Sequence, residues 1–256
     1  MTQQNRIFLG TILLERNRWS KENRSPSYRV SDWTARIRDD GFDGLELWEL
    51  HGLMVDDEER ERLRTGPVPV ALVNSYASCE PEDEEGRRRT AELAAFFDAE
   101  GMKFNFGREP AHKAKYIAVV REWATMFKPG FRMLSENHRG TITDDVEVAA
   151  DVYRELHDVP LGAIIHFQSD ETAYRERFGT YGDRLTHIHC SLSGEDGPMP
   201  EIEVCRRLEW LREFGFNGTF TMEFTEGVRG GLGIEELYRN AVRDLKILRR
   251  CLEKVG

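Results

Sequence analysis

The sequence predicts a single (β/α)8 barrel, and three observations carry that expectation. The chain has 256 residues, the usual size of such a barrel, and is long enough to bury a large core. Short apolar runs alternate with helix-like segments from end to end, with no Pro- or Ser-rich linker dividing them. Four of the later runs each close on a carboxylate or an imidazole: RMLSE on Glu136, GAIIH on His166, LTHIH on His189 and TFTME on Glu223. In a closed barrel the ends of successive parallel strands meet around one mouth.

The elements follow in order. IFLGTILL (7–14) reads as the first strand, and Ser31 as the cap of a short helix that sets Trp33 and Ile37 on one face. GLELW (44–48) is the second strand, and VDDEERERLR after it can form a short helix. VPVALVN (68–74) is the third strand. The charged stretch from Glu82 to Glu100 is helical, with Leu93, Phe96 and Phe97 on one side. MKFNF (102–106) is the fourth strand, and Pro110 opens a helix running to Phe127. After RMLSE, Thr143 or Asp144 caps the next helix. GAIIHF and LTHIH are strands six and seven, 200–214 is helical, and TFTMEF is the eighth strand. The closing helix, 234–252, spaces Ile234, Leu237, Tyr238, Ala241, Leu245 and Leu248 at three and four. An open doubly wound sheet is the alternative, but no Gly-rich dinucleotide turn follows the first strand.

Composition narrows the function. Lys plus Arg is 36 and Asp plus Glu is 46, a formal charge of −10. That balance disfavours nucleic acid and anionic membranes as partners. No apolar run reaches membrane-spanning length, and MTQQNRIFLG holds no apolar signal segment. Cys79, Cys190, Cys205 and Cys251 are scattered without a C-x-x-C spacing. They read as free thiols, and the expected location is the cytoplasm.

Strand parity points the polar residues inward. Thr219, Thr221 and Glu223 share a face opposite Phe220, Met222 and Phe224, and the aromatic face must pack under helices. His187 and His189 share a face, as do Gly162, Ile164 and His166, Lys103 and Asn105, and Glu46 and Trp48. An interior this polar is costly unless its groups bind a metal, a substrate or one another. Taken singly, a buried His is more often a hydrogen-bonded core residue, and a strand-end Glu is more often a surface group. Glu136, His166, His189 and Glu223 taken jointly read as a divalent-metal site. Two His and two Glu suit Mn²⁺, Co²⁺ or Zn²⁺ better than an all-oxygen Mg²⁺ or Ca²⁺ site, and Mn²⁺ is the first expectation.

Around the mouth, Trp48, Lys103, Asn105, Arg139, His187 and Arg229 are the candidate substrate contacts. Arg229 lies in GVRGGLG (227–233), which is either a phosphate-holding loop or a flexible turn, and the turn is the better reading. The loop 15–30 carries Arg16, Arg18, Trp19, Arg24 and Tyr28, and is either a lid or a plain surface loop. His51 has a weak claim to the same rim. GFDGLELW (41–48) and GFNGTFTMEF (215–224) echo one another, by ancestral duplication or by common helix-to-strand turn chemistry.

With these motifs in hand, nearly the whole chain resembles the xylose isomerase-like TIM-barrel family of sugar phosphate isomerases and epimerases. GFDGLELW is similar to the family's second-strand motif and GFNGTFTMEF to its eighth. SENH around Glu136, HIH around His189 and MEF around Glu223 resemble three of its four ligand strands. On strand six the family has Asp and, three residues on, His; this chain has His166 and Ser169 in those places. After the seventh-strand His the family often has an acidic residue and an Arg, where this chain has Cys190 and Ser191. The resemblance implies an isomerase or epimerase of a sugar or related hydroxy-carbonyl compound, with Glu136 and Glu223 transferring protons, and assembly as dimers or tetramers. The alternatives are a metal-dependent lyase or dehydratase acting on a keto acid, a barrel subunit without catalysis, and an abasic-site nuclease, which the negative charge disfavours.

Overall fold

The computed structural model describes residues 5–20, 22–194, 197–225 and 231–256. Eight parallel strands close into a barrel: β1 (Ile7–Gly10), β2 (Gly44–Trp48), β3 (Val70–Asn74), β4 (Gly101–Phe104), β5 (Arg132–Glu136), β6 (Leu161–His166), β7 (Leu185–Cys190) and β8 (Thr219–Met222). Each strand pairs with its sequence neighbour, and β8 closes the ring on β1. A two-residue antiparallel pairing, Ser193–Gly194 with Gly197–Pro198, sits between β7 and the next helix.

Helices cover the outside: α1 (Thr34–Asp39), α2 (Leu50–Leu53), α3 (Asp57–Arg64), α4 (Glu84–Phe96), α5 (Lys113–Ala124), α6 (Val146–Glu155), α7 (Glu171–Tyr181), α8 (Glu201–Glu213) and α9 (Ile234–Val255). On α9 the apolar stripe Leu237, Tyr238, Ala241, Leu245 and Leu248 is buried, as its period predicts. The main core lies between strands and helices and is anchored by Trp123, Tyr116, Tyr174 and Phe104. A second, smaller cluster fills the barrel's interior: Phe8, Ala71, Leu72, Leu134 and Ile164. These residues plug the lower barrel, so the polar side chains above them share one open end.

Several local expectations are corrected. β1 stops at Gly10, and TILL (11–14) is a 3-10 turn. Ser31 caps no helix; its hydroxyl donates to the buried Glu59 carboxylate. α6 is capped by Asp145, whose carboxylate accepts the N–H groups of Glu147 and Val148, and not by Thr143 or Asp144. Pro110 opens a 3-10 turn before α5, and α5 ends at Ala124. Phe96 faces outward while Leu93 and Phe97 are buried.

The free-thiol expectation fails for two of the four cysteines. Cys205 on α8 and Cys251 on α9 form a disulfide, while Cys79 and Cys190 are free and buried. No helix among the described residues is long and apolar enough to cross a membrane.

The sequence echo has a local explanation. Gly41 and Gly215 both end a helix with positive φ, +98° and +78°. In each turn the glycine N–H and the following Phe N–H return to carbonyls of the preceding helix. Phe42 bonds Ile37 and Phe216 bonds Leu211, the pattern of a Schellman turn. The carboxylates after the two turns are not equivalent. Glu46 lies within β2, whereas Glu223 follows the end of β8.

Candidate active site

The barrel interior is layered. Above the apolar plug lies a buried polar layer of Glu46, Asn74, His187 and Thr221. Thr219 Oγ1 is 2.7 Å from His187 Nδ1, and His187 Nε2 is 3.0 Å from Thr221 Oγ1. Thr221 donates to Glu46 Oε2 at 2.8 Å, and Asn74 Nδ2 donates to Glu46 Oε1 at 2.7 Å. Burial pushes His187 down to about 4, so it is neutral. The bonds then run one way: Thr219 to His187, His187 to Thr221, Thr221 to Glu46. Glu46 and the two histidines have metal-like spacing. Both nitrogens of His187 and both oxygens of Glu46 are nonetheless already committed, so this trio is a hydrogen-bonded scaffold.

The layer above is different. Glu136, His166, His189 and Glu223 each offer a donor atom, and all four atoms lie within 4.8 Å of one another. They come from the ends of β5, β6 and β7 and from the residue after β8. Register explains the convergence: Glu136 pairs with Ile164, His166 with His189, and Thr221 with His189. His166 Nε2 lies 3.0 Å from Glu136 Oε1. His189 Nε2 lies 3.3 Å from Glu46 below, while its Nδ1 is 3.4 Å from Glu136 Oε1 and 3.3 Å from Glu223 Oε2.

That Nδ1 atom is the test of whether these residues fit a metal. It is buried and makes no hydrogen bond to any described residue. An unpartnered ring nitrogen beside two carboxylate oxygens and a second imidazole is a donor set suited to a divalent cation. The residues fit the ion.

Electrostatics support a concentrated site. Burial opposes ionisation of Glu136, but the Lys103 ammonium, a hydrogen bond from His166 and the neighbouring His189 ring hold its carboxyl well below the usual range. Lys103 is itself buried, which opposes its charge, yet Glu136, with Tyr76 and Glu223, holds it above its ordinary value. Its Nζ is 2.9 Å from Glu136 Oε2 and 2.7 Å from Asn105 Oδ1. Asn105 Nδ2 also reaches Glu136 Oε2, at 3.2 Å.

Three of the four, Glu136, His166 and Glu223, border a cavity of about 580 Å³, large enough for a small polar ligand. Lys103, Asn105, Glu136, His166 and Glu223 line it, with Trp19 and Tyr76 among its walls. The other expected contacts are placed elsewhere. His187 is wholly buried in the layer below, where it binds threonines, so its assignment as a substrate contact is corrected. Arg139 is on an exposed turn and does not line the cavity. Trp48 is buried beside His51, their rings edge to face, and also lies off the cavity. Arg229 falls outside the described residues.

The loop 15–30 is tied down at its base. Glu15 is buried, and its carboxylate accepts the N–H groups of Asn17 and Ser27 and meets His51 Nε2 at 3.0 Å. Arg18 is buried and donates to the carbonyls of Ile12, Leu13 and Glu15. Trp19 is 59% exposed and stacks beside Phe224 at the cavity wall. His51 is therefore a loop anchor. The residue that sequence reasoning undervalued is Glu46. Its signal was a carboxylate at an inward position, flanked by leucines, which needs a buried partner.

Fold and site together define a (β/α)8 barrel with a carboxylate–imidazole cluster at its mouth. No family model and no curated protein matches this chain. Solved structures do. The 3-keto-D-glucoside 4-epimerase YcjR from E. coli is 17% identical, with a TM-score of 0.66 over 97% of this chain and 100% of that one. A xylose isomerase-like TIM barrel protein from Mycobacterium smegmatis, solved in complex with magnesium, is 14% identical with a TM-score of 0.67, over 97% and 98%. Endonuclease IV from Thermus thermophilus is 14% identical with a TM-score of 0.62, over 97% and 99%. The fold is thus that of the xylose isomerase-like barrels, which at these identities leaves the activity to be argued from the site.

Proposed function

We propose that this protein is a divalent-metal-dependent isomerase or epimerase of a sugar or related hydroxy-carbonyl compound, working by proton transfer through an enediolate. The observation that carries the reading is the unpartnered Nδ1 of His189 between Glu136 and Glu223, two carboxylates that line a polar cavity. Glu136, His166, His189 and Glu223 would hold the ion, with Mn²⁺ the first choice and Co²⁺, Zn²⁺ or Mg²⁺ the others. When bound, the ion supplies positive charge that stabilises the oxyanion of an enediolate.

The chain's own residues divide the remaining work. Glu136 and Glu223 approach the cavity floor from β5 and from the end of β8. One takes the proton from the carbon beside the carbonyl and the other returns one. Lys103 and Asn105 hold Glu136 on its Oε2 side and line the cavity, where they are placed to bind a substrate oxygen. Trp19 presents an aromatic face at the wall, where a sugar ring can stack. The endonuclease neighbour suggests a second chemistry, but a formal charge of −10 opposes a polyanionic substrate.

The test is solvent exchange. A panel of aldoses, ketoses and keto-glycosides is incubated with Mn²⁺-loaded protein in D₂O and followed by proton NMR. Loss of one signal beside a carbonyl, or appearance of an epimer, is expected for at least one compound. Glu223→Gln should abolish that exchange and weaken ion binding. Full turnover by metal-free Glu223→Gln protein would refute the assignment.

A further inference from the structure

The mouth cluster depends on which nitrogen of His189 faces upward, and that choice is made from below. His189 Nε2 lies 3.3 Å from both Oε1 and Oε2 of Glu46, a carboxylate with no exposed surface. Glu46 cannot turn away. Its Oε1 is held by Asn74 at 2.7 Å and its Oε2 by Thr221 at 2.8 Å. Thr221 is engaged in turn by His187, whose far nitrogen meets Thr219. A carboxylate so placed accepts a hydrogen bond from Nε2–H and aims Nδ1 at Glu136 and Glu223, where an ion would take its lone pair.

Resting on the reading of the mouth cluster as a metal site, we infer that Glu46 is a positioning residue. It holds His189 in the Nε2–H tautomer, with Nδ1 offered to the ion, and the chain Thr219–His187–Thr221 locks Glu46 in that role. Glu46 touches neither cavity nor substrate and acts only through His189. The glutamate of the second-strand motif is thereby tied to the site formed by strands five to eight.

The test uses Zn²⁺ as the probe because it is diamagnetic. Zn²⁺ is titrated by calorimetry into metal-free wild-type and Glu46→Gln protein, and the Zn²⁺-loaded forms, labelled with ¹⁵N-histidine, are read by two-bond proton–nitrogen correlation. Wild type should show His189 protonated on Nε2. Glu46→Gln, whose amide can donate to Nε2 and drive the proton to Nδ1, should bind Zn²⁺ about 10–100-fold more weakly. An Nδ1–H tautomer for His189 in Zn²⁺-loaded wild type would overturn the inference, and this readout stands even where Glu46→Gln fails to fold. Zn²⁺ affinity unchanged within about twofold, against the loss expected of an outer partner, in a folded Glu46→Gln protein would overturn it too, leaving the metal reading intact. Failure of wild type to take up Zn²⁺ would overturn both.

Discussion

Lys103 Nζ lies 2.9 Å from Oε2 of Glu136, and the two side chains are only 3% and 4% exposed. A buried cation thus already compensates one carboxylate of the cluster. Glu136 turns its other oxygen toward His166 and His189, so its two oxygens serve two different partners.

Removing the cation leaves that carboxylate uncompensated. Lys103→Met should cost about 3–5 kcal/mol in metal-free protein, the usual penalty for breaking a buried pair by deleting one partner. Added Mn²⁺ should recover part of the loss, because the ion supplies charge at the same carboxylate. Urea unfolding with and without Mn²⁺ measures both effects. An equal loss in the two conditions would separate Glu136 from the ion.

His166 stands where the resembled family has Asp, 3.0 Å from Glu136. His166→Asp adds a third carboxylate and should tighten Mn²⁺ binding by about tenfold or more, since oxygen donors suit that ion. His166→Ala should weaken binding without abolishing it, because Glu136, His189 and Glu223 remain. Calorimetric titration of both variants checks this. Identical affinities in all three proteins would remove His166 from the ligand set.

The anchor of the first loop makes a prediction about acid. Burial opposes ionisation of Glu15, but bonds from His51, Asn17 and Ser27 lower its carboxyl from 4.5 to about 2. A carboxyl lowered on folding contributes stability that is present above its unfolded value and lost as pH falls through the folded one. Wild type should therefore exceed Glu15→Gln in stability at pH 7. The gap should shrink as pH falls from about 4.5 toward 2. Paired urea curves at several pH values measure it. A gap that stays constant across this range would assign the anchoring to packing alone.

The disulfide joins α8 to α9 across 46 residues. Closing a loop of that length stabilises a fold by about 2–4 kcal/mol in the chain-entropy account. Cys205→Ser with Cys251→Ser should lower stability by that order and make it insensitive to reductant. The ion affinity of the mouth should not change, because both cysteines lie on the outer helices. Denaturant melts with and without reductant provide the readout.

Much of this was legible in the chain. The strands were, because parity and apolar runs report a face that must be buried. Glu136, His189 and Glu223 were, because each ends such a run on the inward side. The cap of α6 was not: Thr143, Asp144 and Asp145 stand in a row, and backbone geometry selects among three competent oxygens. His187 and His189 share a face and a residue type, so the sequence held nothing to separate a scaffold histidine from one at the mouth.

By itself, then, the sequence determined the alternation that builds a barrel and the chemical kinds of side chain its interior carries. Local periodicity is enough for that, since burial of one face is a short-range demand. Depth, partner and orientation were decided only by the tertiary structure. Register sets Thr221 beside His189 and brings Glu46, 143 residues away in sequence, beneath the same ring. Barrel closure likewise brings Cys205 within reach of Cys251. Such contacts depend on how separate strands and helices are aligned, and no window of sequence contains that alignment.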